Sequence, residues 1–255
     1  MSLVLPTYNE ASNVVTAIDR CVAALTGYTF ELIVVDDHSP DGTSRLVHSR
    51  YGTDDRIRLI DRRERGLAAA VVEGIRESTY DWCIVIDADL QHPPEYLPSL
   101  VAAFDADVDV VVGSRYVEGG AIEGWSLARR LVSRGATALA RRALPQIRGV
   151  ADPLSGFFAV RRARLDDVEL APIGYKVLLE LLVACDPDRV REVPYVFHER
   201  ERGESKLSPV EYVQFLRHLA RLLRRARSAA ADARGGEPTS NPTAPTGDGW
   251  GRHSR

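Results

Sequence analysis

Along the first half of the chain, short runs of consecutive apolar residues alternate with stretches in which apolar residues recur every three or four positions. The runs are β-branched and predict strands over 3–5, 31–35, 57–60, 82–86 and 108–112. The stretches predict helices over 11–25, 41–51, 66–77 and 94–104. In the third of these, Leu67, Ala70, Val71 and Ile75 share one face; the fourth opens on prolines, which suit a first helical turn. Strands that are apolar on both faces, with helices between them, point to a mostly parallel sheet covered on both sides. The fold class read from this pattern is therefore α/β, a Rossmann-like sheet with helices on both faces.

In such sheets ligands collect where strands end at their carboxyl termini. Polar residues stand at those positions here: Asn9-Glu10, Asp36-Asp37, Asp87-Ala88-Asp89 and Arg115. After Tyr116 the pattern changes. A helix carrying five arginines is predicted over 125–144, an extended segment over 153–160, a helix over 173–184 and a strand over 190–196. A basic amphipathic helix is predicted over 208–227. Residues 228–255 are rich in Ala, Gly, Pro, Ser and Thr and read as a disordered low-complexity tail, which leaves 1–227 as the folded domain.

The 255 residues are 45% hydrophobic, enough for one α/β domain with a full core. A net charge of −3 gives no reason to expect nucleic acid as a partner. Cys21, Cys83 and Cys185 lack metal or redox spacing and read as reduced core residues of a cytosolic protein. Lys176 and Lys206 are the only lysines, against a background of arginine. The first residues are too short an apolar run for a signal peptide, and no run approaches the ~20 residues of a membrane span. The chain is thus expected to be soluble or peripheral to a membrane.

No Gly-x-Gly-x-x-Gly or Gly-Lys-Ser/Thr loop follows the first strand, which argues against dinucleotide oxidoreductases and P-loop enzymes. Carboxylates stand where those folds place glycines, and carboxylates repel a diphosphate unless a cation lies between them. Asp87 and Asp89, with Gln91, form an oxygen-rich set suited to Mg²⁺ or Mn²⁺ shared with substrate phosphates. An Asp-x-Asp by itself reads more readily as a polar turn; the company of the other polar strand ends reverses that and favours a metal site. Of Asp36 and Asp37, one is expected to make an Asx turn into Ser39-Pro40-Asp41-Gly42 and Asp37 to face a nucleotide. The histidines (38, 48, 92, 198, 218 and 253) are scattered, and surface or turn roles are expected for them.

The segments 5–10 (Leu-Pro-Thr-Tyr-Asn-Glu), 34–43 (Val-Val-Asp-Asp-His-Ser-Pro-Asp-Gly-Thr) and 87–94 (Asp-Ala-Asp-Leu-Gln-His-Pro-Pro) resemble those of family-two inverting glycosyltransferases. Residues 113–116 (Gly-Ser-Arg-Tyr), 152–158 (Asp-Pro-Leu-Ser-Gly-Phe-Phe) and 200–207 (Arg-Glu-Arg-Gly-Glu-Ser-Lys-Leu) narrow the resemblance to the polyprenol-phosphate (dolichol-phosphate) mannose synthases. The Asp-x-Asp element is widely shared; Ser-Gly-Phe-Phe and Gly-Glu-Ser-Lys are more specific. The resemblance covers roughly residues 1–225.

It implies a GT-A type fold and a set of roles. Pro6, Tyr8 and Glu10 would line the donor site, with Val35 and Asp37 at the nucleobase. Asp87 and Ala88 would contact the donor, and Asp89 with Gln91 would bind the metal. Arg115, Arg200 and Lys206 would contact donor or acceptor phosphates, and Arg129 and Ser133 the acceptor phosphate. His38 departs from the small or acidic residue usual at its position. The implied reaction moves a hexose, foremost mannose from GDP-mannose, with inversion onto a polyprenyl (dolichyl) monophosphate in a membrane. A phosphate acceptor is already an anion and needs positioning by arginines rather than a general base.

A glucosyl or other transfer from a UDP-sugar is the near alternative, and a non-catalytic nucleotide-sugar binding protein the alternative of another class. The Gln-x-x-Arg-Trp motif of processive polysaccharide synthases is absent. The helices over 125–144 and 208–227, apolar and basic by turns, could lie in an anionic interface on the cytoplasmic side, with an integral membrane protein as a further partner.

Overall fold

Alternation within each strand decides which layer of the molecule a side chain enters. The computed structural model describes residues 1–63, 66–165, 168, 170, 176–185, 187, 189–199 and 209–235, the last stretch with side chains from 213 to 226. In chain order the strands are β1 (Ser2–Thr7), β2 (Glu31–Asp36), β3 (Ile57–Asp61), β4 (Trp82–Val85), β5 (Val110–Ser114), β6 (Ala121–Ile122), β7 (Phe158–Arg161), β8 (Val190–Pro194) and β9 (Val196–Phe197). The helices are α1 (Val14–Ala24), α2 (Thr43–Tyr51), α3 (Leu67–Arg76), α4 (Leu97–Ala102), α5 (Leu127–Ala143), α6 (Val177–Ala184) and α7 (Pro209–Gly235). Seven strands form one sheet in the order β3-β2-β1-β4-β7-β5-β8, and β6 pairs with β9 beside it. Only β7 runs antiparallel to its neighbours, β4 and β5.

Leu3, Leu5, Leu32, Val34, Ile84 and Ile86 point to one face, where Ile18 and Cys21 of α1 and Leu97 and Leu100 of α4 cover them. Val4, Ile33, Val35, Cys83 and Val85 point to the other, under Val71 and Ile75 of α3 and beside Leu178 and Leu182 of α6 and Leu219 of α7. Both faces are therefore apolar, as a sheet buried between helices requires. Gly74 lets α3 approach closely, because a Cβ there would lie 2.4 Å from a Val4 methyl.

The expected helix over 94–104 is a 3-10 turn, Pro94–Tyr96, running into α4. The extended segment over 153–160 is a loop until Phe158, where β7 begins. The strand over 190–196 breaks at Tyr195, whose N–H donates to Ser114 in β5 while its carbonyl accepts from Ala121 in β6. The break lets one residue bridge the large sheet and the small one. α5 is capped by Ser126, whose Oγ accepts the Arg129 N–H. Residues 228–235, expected as the start of the tail, instead continue α7, and the rest of that expected tail, 236–255, lies outside the described residues, as do 173–175.

The chain builds β1 to β3 outward in one direction, then returns to place β4 on the other side of β1. Ligands bind in the crevice at such a reversal. Pro6 helps open it. Ile86 donates to the Val4 carbonyl, so by strand alternation the backbone of Pro6 also faces β4. The β1–β4 ladder ends at Val4 and Val85, before Pro6 is reached. A residue without an N–H is tolerated there because no partner strand needs it.

Candidate active site

Among the described residues, the non-glycine positions with positive φ are Asn9 (56°), His38 (55°) and Leu90 (63°). They lie in the loops that leave β1, β2 and β4, the three strands at the crevice. Left-handed backbone at a non-glycine residue costs on the order of ~1–3 kcal/mol and gathers where geometry serves a site. Asn and His tolerate this conformation better than most, which accounts for His38: the turn demands a residue at ease with positive φ. Its Nδ1 stands 3.4 Å from Asp61 Oδ1.

The β1 and β2 loops are tied together. The backbone N–H groups of Asn9, Glu10 and Ala11 donate to Ser39 Oγ, Thr43 Oγ1 and Asp41 Oδ2. Asp36 makes the Asx turn: fully buried, it accepts from Ser39 N–H and from the hydroxyls of Thr7, Ser39 and Ser44. Asp37 points elsewhere. Its carboxylate takes the Arg62 guanidinium at 2.6 Å and the Gly66 N–H at 2.7 Å, so it organises the entry to α3. Glu10 is buried and accepts from Asn13 at the start of α1, Tyr8 is half-buried at the mouth, and Val35 sits wholly in the core.

After β4 the chain folds into a tight oxygen-rich loop. Asp87 is partly exposed while Ala88 and Asp89 are buried. Asp89 Oδ1 accepts the Gln91 N–H at 3.0 Å. The Gln91 side-chain N–H and the His198 carbonyl, and the His198 N–H and Gln91 carbonyl, make a pair of bonds that fastens the loop to the chain beyond β9. His92, expected at the surface, is buried: its Nδ1 lies 2.9 Å from Tyr195 OH and its Nε2 3.4 Å from Asp87 Oδ2. The prolines that follow carry the chain under the β8–β9 break, and this draws the ring inward. His218, also expected outside, is buried against Glu180, which binds α7 to α6.

Gly156 completes the wall. A Cβ there would stand 2.9 Å from Asp87 Oδ2 and 3.1 Å from His92 Nε2. The same loop supplies Asp152, fully buried, which accepts three bonds from Arg115: backbone N–H at 3.0 Å, Nε at 2.7 Å and Nη2 at 2.8 Å. Burial works against the Arg115 charge, but the Asp152 carboxylate outweighs it and holds the guanidinium far into its protonated range. Glu192 in turn accepts the N–H groups of Ala151 and Asp152.

Arg129 and Ser133, four positions apart on α5, converge with Arg115, which follows β5. Arg115 lies 6.0 Å from the Trp125 ring centre and Arg129 lies 4.2 Å from it. Arg115 also lies over Tyr116, whose hydroxyl is 2.8 Å from Ser133 Oγ. Beside this cluster α5 turns its apolar residues outward, with Leu127 78% and Leu131 70% exposed. In α7 the apolar residues divide: Phe215, Leu219 and Leu222 are buried, Val213 and Leu216 exposed. Among the described residues no helix is long and apolar enough to cross a membrane.

Arg200 and Lys206 lie outside the described residues. No cluster of three or more His, Cys, Asp or Glu able to hold a metal occurs among the described ones. Two carboxylates and an amide carbonyl on one loop nonetheless fit a hard divalent ion that takes its remaining ligands from substrate phosphates and water, as Mg²⁺ does. Arg62, His92, Asp152 and Tyr195 were not anticipated. Arg62 meets Asp37 25 positions away, Asp152 meets Arg115 37 away and His92 meets Tyr195 103 away, and no local pattern announces these pairings.

Residues 2–168 match the model of the family described as "Glycosyl transferase family 2". A dolichol-phosphate mannosyltransferase of Pyrococcus furiosus is 44% identical over 228 residues, 88% of this chain and 64% of that one. One of Saccharomyces cerevisiae is 35% identical over 238 residues, 87% of this chain and 86% of that one. The chain thus spans somewhat under two thirds of the archaeal relative. Among solved structures, glucosyl-3-phosphoglycerate synthase of Mycobacterium tuberculosis bound to UDP shares the fold, with TM-score 0.64, 24% identity and 94% and 81% of the two chains covered. The same enzyme with Mn²⁺, UDP-glucose and glycerol 3-phosphate gives TM-score 0.60 at 25% identity, with the same coverage.

Proposed function

The chain belongs to glycosyl transferase family 2, and from that premise we propose that it transfers mannose from GDP-mannose, with inversion, to a polyprenyl (dolichyl) monophosphate at a membrane surface. The observation that carries this reading is the convergence of Arg115, Arg129 and Ser133 around Trp125 and Tyr116, beside an α5 face of exposed leucines. An anion site adjoining an apolar surface suits an acceptor with a phosphate head and a hydrocarbon tail. The mannosyltransferases at 35–44% identity support the same acceptor and sugar.

The crevice between β1 and β4 takes the nucleotide sugar. Asp87 and Ala88 meet the donor, and Asp87, Asp89 and Gln91 would hold Mg²⁺ or Mn²⁺. That ion, when bound, neutralises charge on the leaving diphosphate. Arg129 and Ser133 hold the acceptor phosphate, and Arg115, fixed by Asp152, supplies positive potential behind them. One phosphate oxygen attacks the anomeric carbon, a C–O bond to the lipid phosphate forms, and the bond to the nucleoside diphosphate breaks. The acceptor oxygen carries no proton to remove, so no general base is needed. Arg200 and Lys206 are further donor or acceptor contacts of this proposal.

Attachment to the membrane is peripheral, through α5 and the exposed part of α7 on the cytoplasmic side, with an integral membrane protein as an additional partner. The residues from 236 onward, outside the described ones, are a low-complexity tail in this reading. A UDP-sugar donor is the second reading, favoured by the likeness to an enzyme solved with UDP-glucose. Incubation with Mn²⁺, polyprenyl phosphate and a panel of nucleotide sugars decides between them. Lipid-linked mannose from GDP-mannose alone is the expected product, and no lipid-linked sugar from any donor would sink the proposal.

A further inference from the structure

His92 is a buried imidazole that the transfer reaction as described does not use. Its side chain is 4% exposed, boxed by the rings of Phe157, Tyr195 and Phe197. Each ring nitrogen faces one group: Nδ1 meets Tyr195 OH at 2.9 Å, and Nε2 stands 3.4 Å from Asp87 Oδ2. We propose that His92 is a positioning residue: it holds the inner oxygen of the Asp87 carboxylate and so presents the outer one to the donor and its metal ion. The inference rests on the transferase reading for what Asp87 contacts, and on geometry alone for what His92 does.

The tautomer follows from the neighbours. A carboxylate only accepts, so the ring nitrogen facing it must carry the hydrogen; a lone pair there would be repelled. With Nε2 bearing the hydrogen, Nδ1 accepts, and the Tyr195 hydroxyl donates to it. Tyr195 is suited to this, since its burial disfavours the phenolate and keeps the hydroxyl hydrogen in place. Tyr195 is itself immobile, its backbone bonded to both β5 and β6 at the strand break. The chain Tyr195–His92–Asp87 thus carries the rigidity of the sheet edge to a carboxylate that is otherwise partly exposed.

Gly156 independently marks Asp87 Oδ2 as a fixed point. The loop passes so near that a methyl group would stand 2.9 Å from that oxygen. The loop and the imidazole therefore close on the same carboxylate oxygen from neighbouring directions, and a neighbour that fixes an anionic donor contact is worth on the order of ~10–100-fold in metal affinity or activity in comparable sites.

The test compares wild type with His92→Phe, His92→Gln and Tyr195→Phe. Calorimetric titration of Mn²⁺ into protein saturated with GDP is read beside kcat and KM for transfer. His92→Phe keeps an aromatic ring in the box but loses both nitrogens. It is expected to weaken Mn²⁺ binding or lower kcat by ~10–100-fold, with KM for polyprenyl phosphate unchanged. In His92→Gln an amide N–H can replace Nε2–H, and most of the loss is expected to be recovered. Tyr195→Phe removes only a hydroxyl, so it tests the relay even if His92→Phe fails to fold; a smaller loss of the same kind is expected. Tyr195→Phe within about twofold of wild type in both readouts would overturn the proposal, and so would a His92→Gln variant no better than a folded His92→Phe. If wild type binds Mn²⁺ and GDP yet transfers no sugar, the transferase reading fails, while the titration still decides the role of His92.

Discussion

Removing the Asp152 carboxylate is expected to destabilise the protein through a residue that remains in place. Arg115 is 7% exposed, and Asp152 accepts three of its N–H groups at 2.7 to 3.0 Å. In Asp152→Ala the guanidinium stays buried without its counter-ion. Two unit charges ~4 Å apart interact by about 4 kcal/mol at an effective dielectric near 20. Breaking a buried pair from one side typically costs ~3–5 kcal/mol, because the remaining charge is uncompensated. The rings of Tyr116, Trp125 and Phe197 flank the guanidinium and offset part of this, on the order of ~0.5–1 kcal/mol each at best. A net loss of about 2 kcal/mol follows.

Urea unfolding is the assay. With a slope near ~2 kcal/mol/M, the midpoint should fall by about 1 M without a change in slope. The double variant Arg115→Met with Asp152→Leu is expected to recover most of the stability, since well-packed apolar residues often replace a buried pair without loss. It should not recover transfer. A midpoint shift below about 0.5 M in Asp152→Ala, the behaviour of a solvated surface pair, would refute the reasoning.

Asp89→Ala is expected to abolish transfer and to cost at least ~1 kcal/mol of stability, the worth of its bond to Gln91 N–H alone; wild-type turnover in the variant would remove the metal role. Replacing Leu127 and Leu131 by Asp should leave the melting temperature unchanged, because both are exposed, and should reduce liposome sedimentation at least ~100-fold, at ~1.5–3 kcal/mol per leucine; undiminished sedimentation would take α5 out of the membrane contact. Glu31 carries a pH signature. Burial pushes its carboxyl up, but the bonds from Ser2 and Thr79 and the Arg58 charge outweigh it and hold its folded pKa below the ordinary value. Its stabilisation is therefore complete above the unfolded value near ~4.3 and is lost as pH falls through the lower folded value. Glu31→Gln should lower stability at pH 7 and flatten the acid limb of a melting-temperature profile, and an unchanged acid limb would contradict this.

The strands and helices of the nucleotide half were legible because each rests on a local period. Leu3 and Leu5 against Val4, or Leu32 and Val34 against Ile33 and Val35, alternate in sequence and divide between the two cores. Pro6 and Asp87 stand at strand ends by position alone. The antiparallel β7 was not legible as such, since Phe158–Arg161 is apolar whichever way it runs, and its direction is set by the strands it fits between. The break at Tyr195 was hidden for the same reason: Val190 to Val196 reads as one extended run until two sheets compete for its backbone.

For the site, the residue types that could bind a metal, a diphosphate and a lipid phosphate were determined by the sequence itself, because charge and hydrogen-bonding capacity belong to the side chain wherever it lies. What each one spends that capacity on was decided only by tertiary structure. Asp36 and Asp37 are adjacent and alike in sequence, yet one closes a turn and the other pairs with Arg62. Arg115 looks like any arginine until Asp152, 37 positions on, takes its fork, and His92 looks like a turn residue until Tyr195, 103 positions on, orients its ring toward Asp87. Such pairings depend on distances of a few ångströms between segments far apart in the chain, and only the packed sheet brings those segments together.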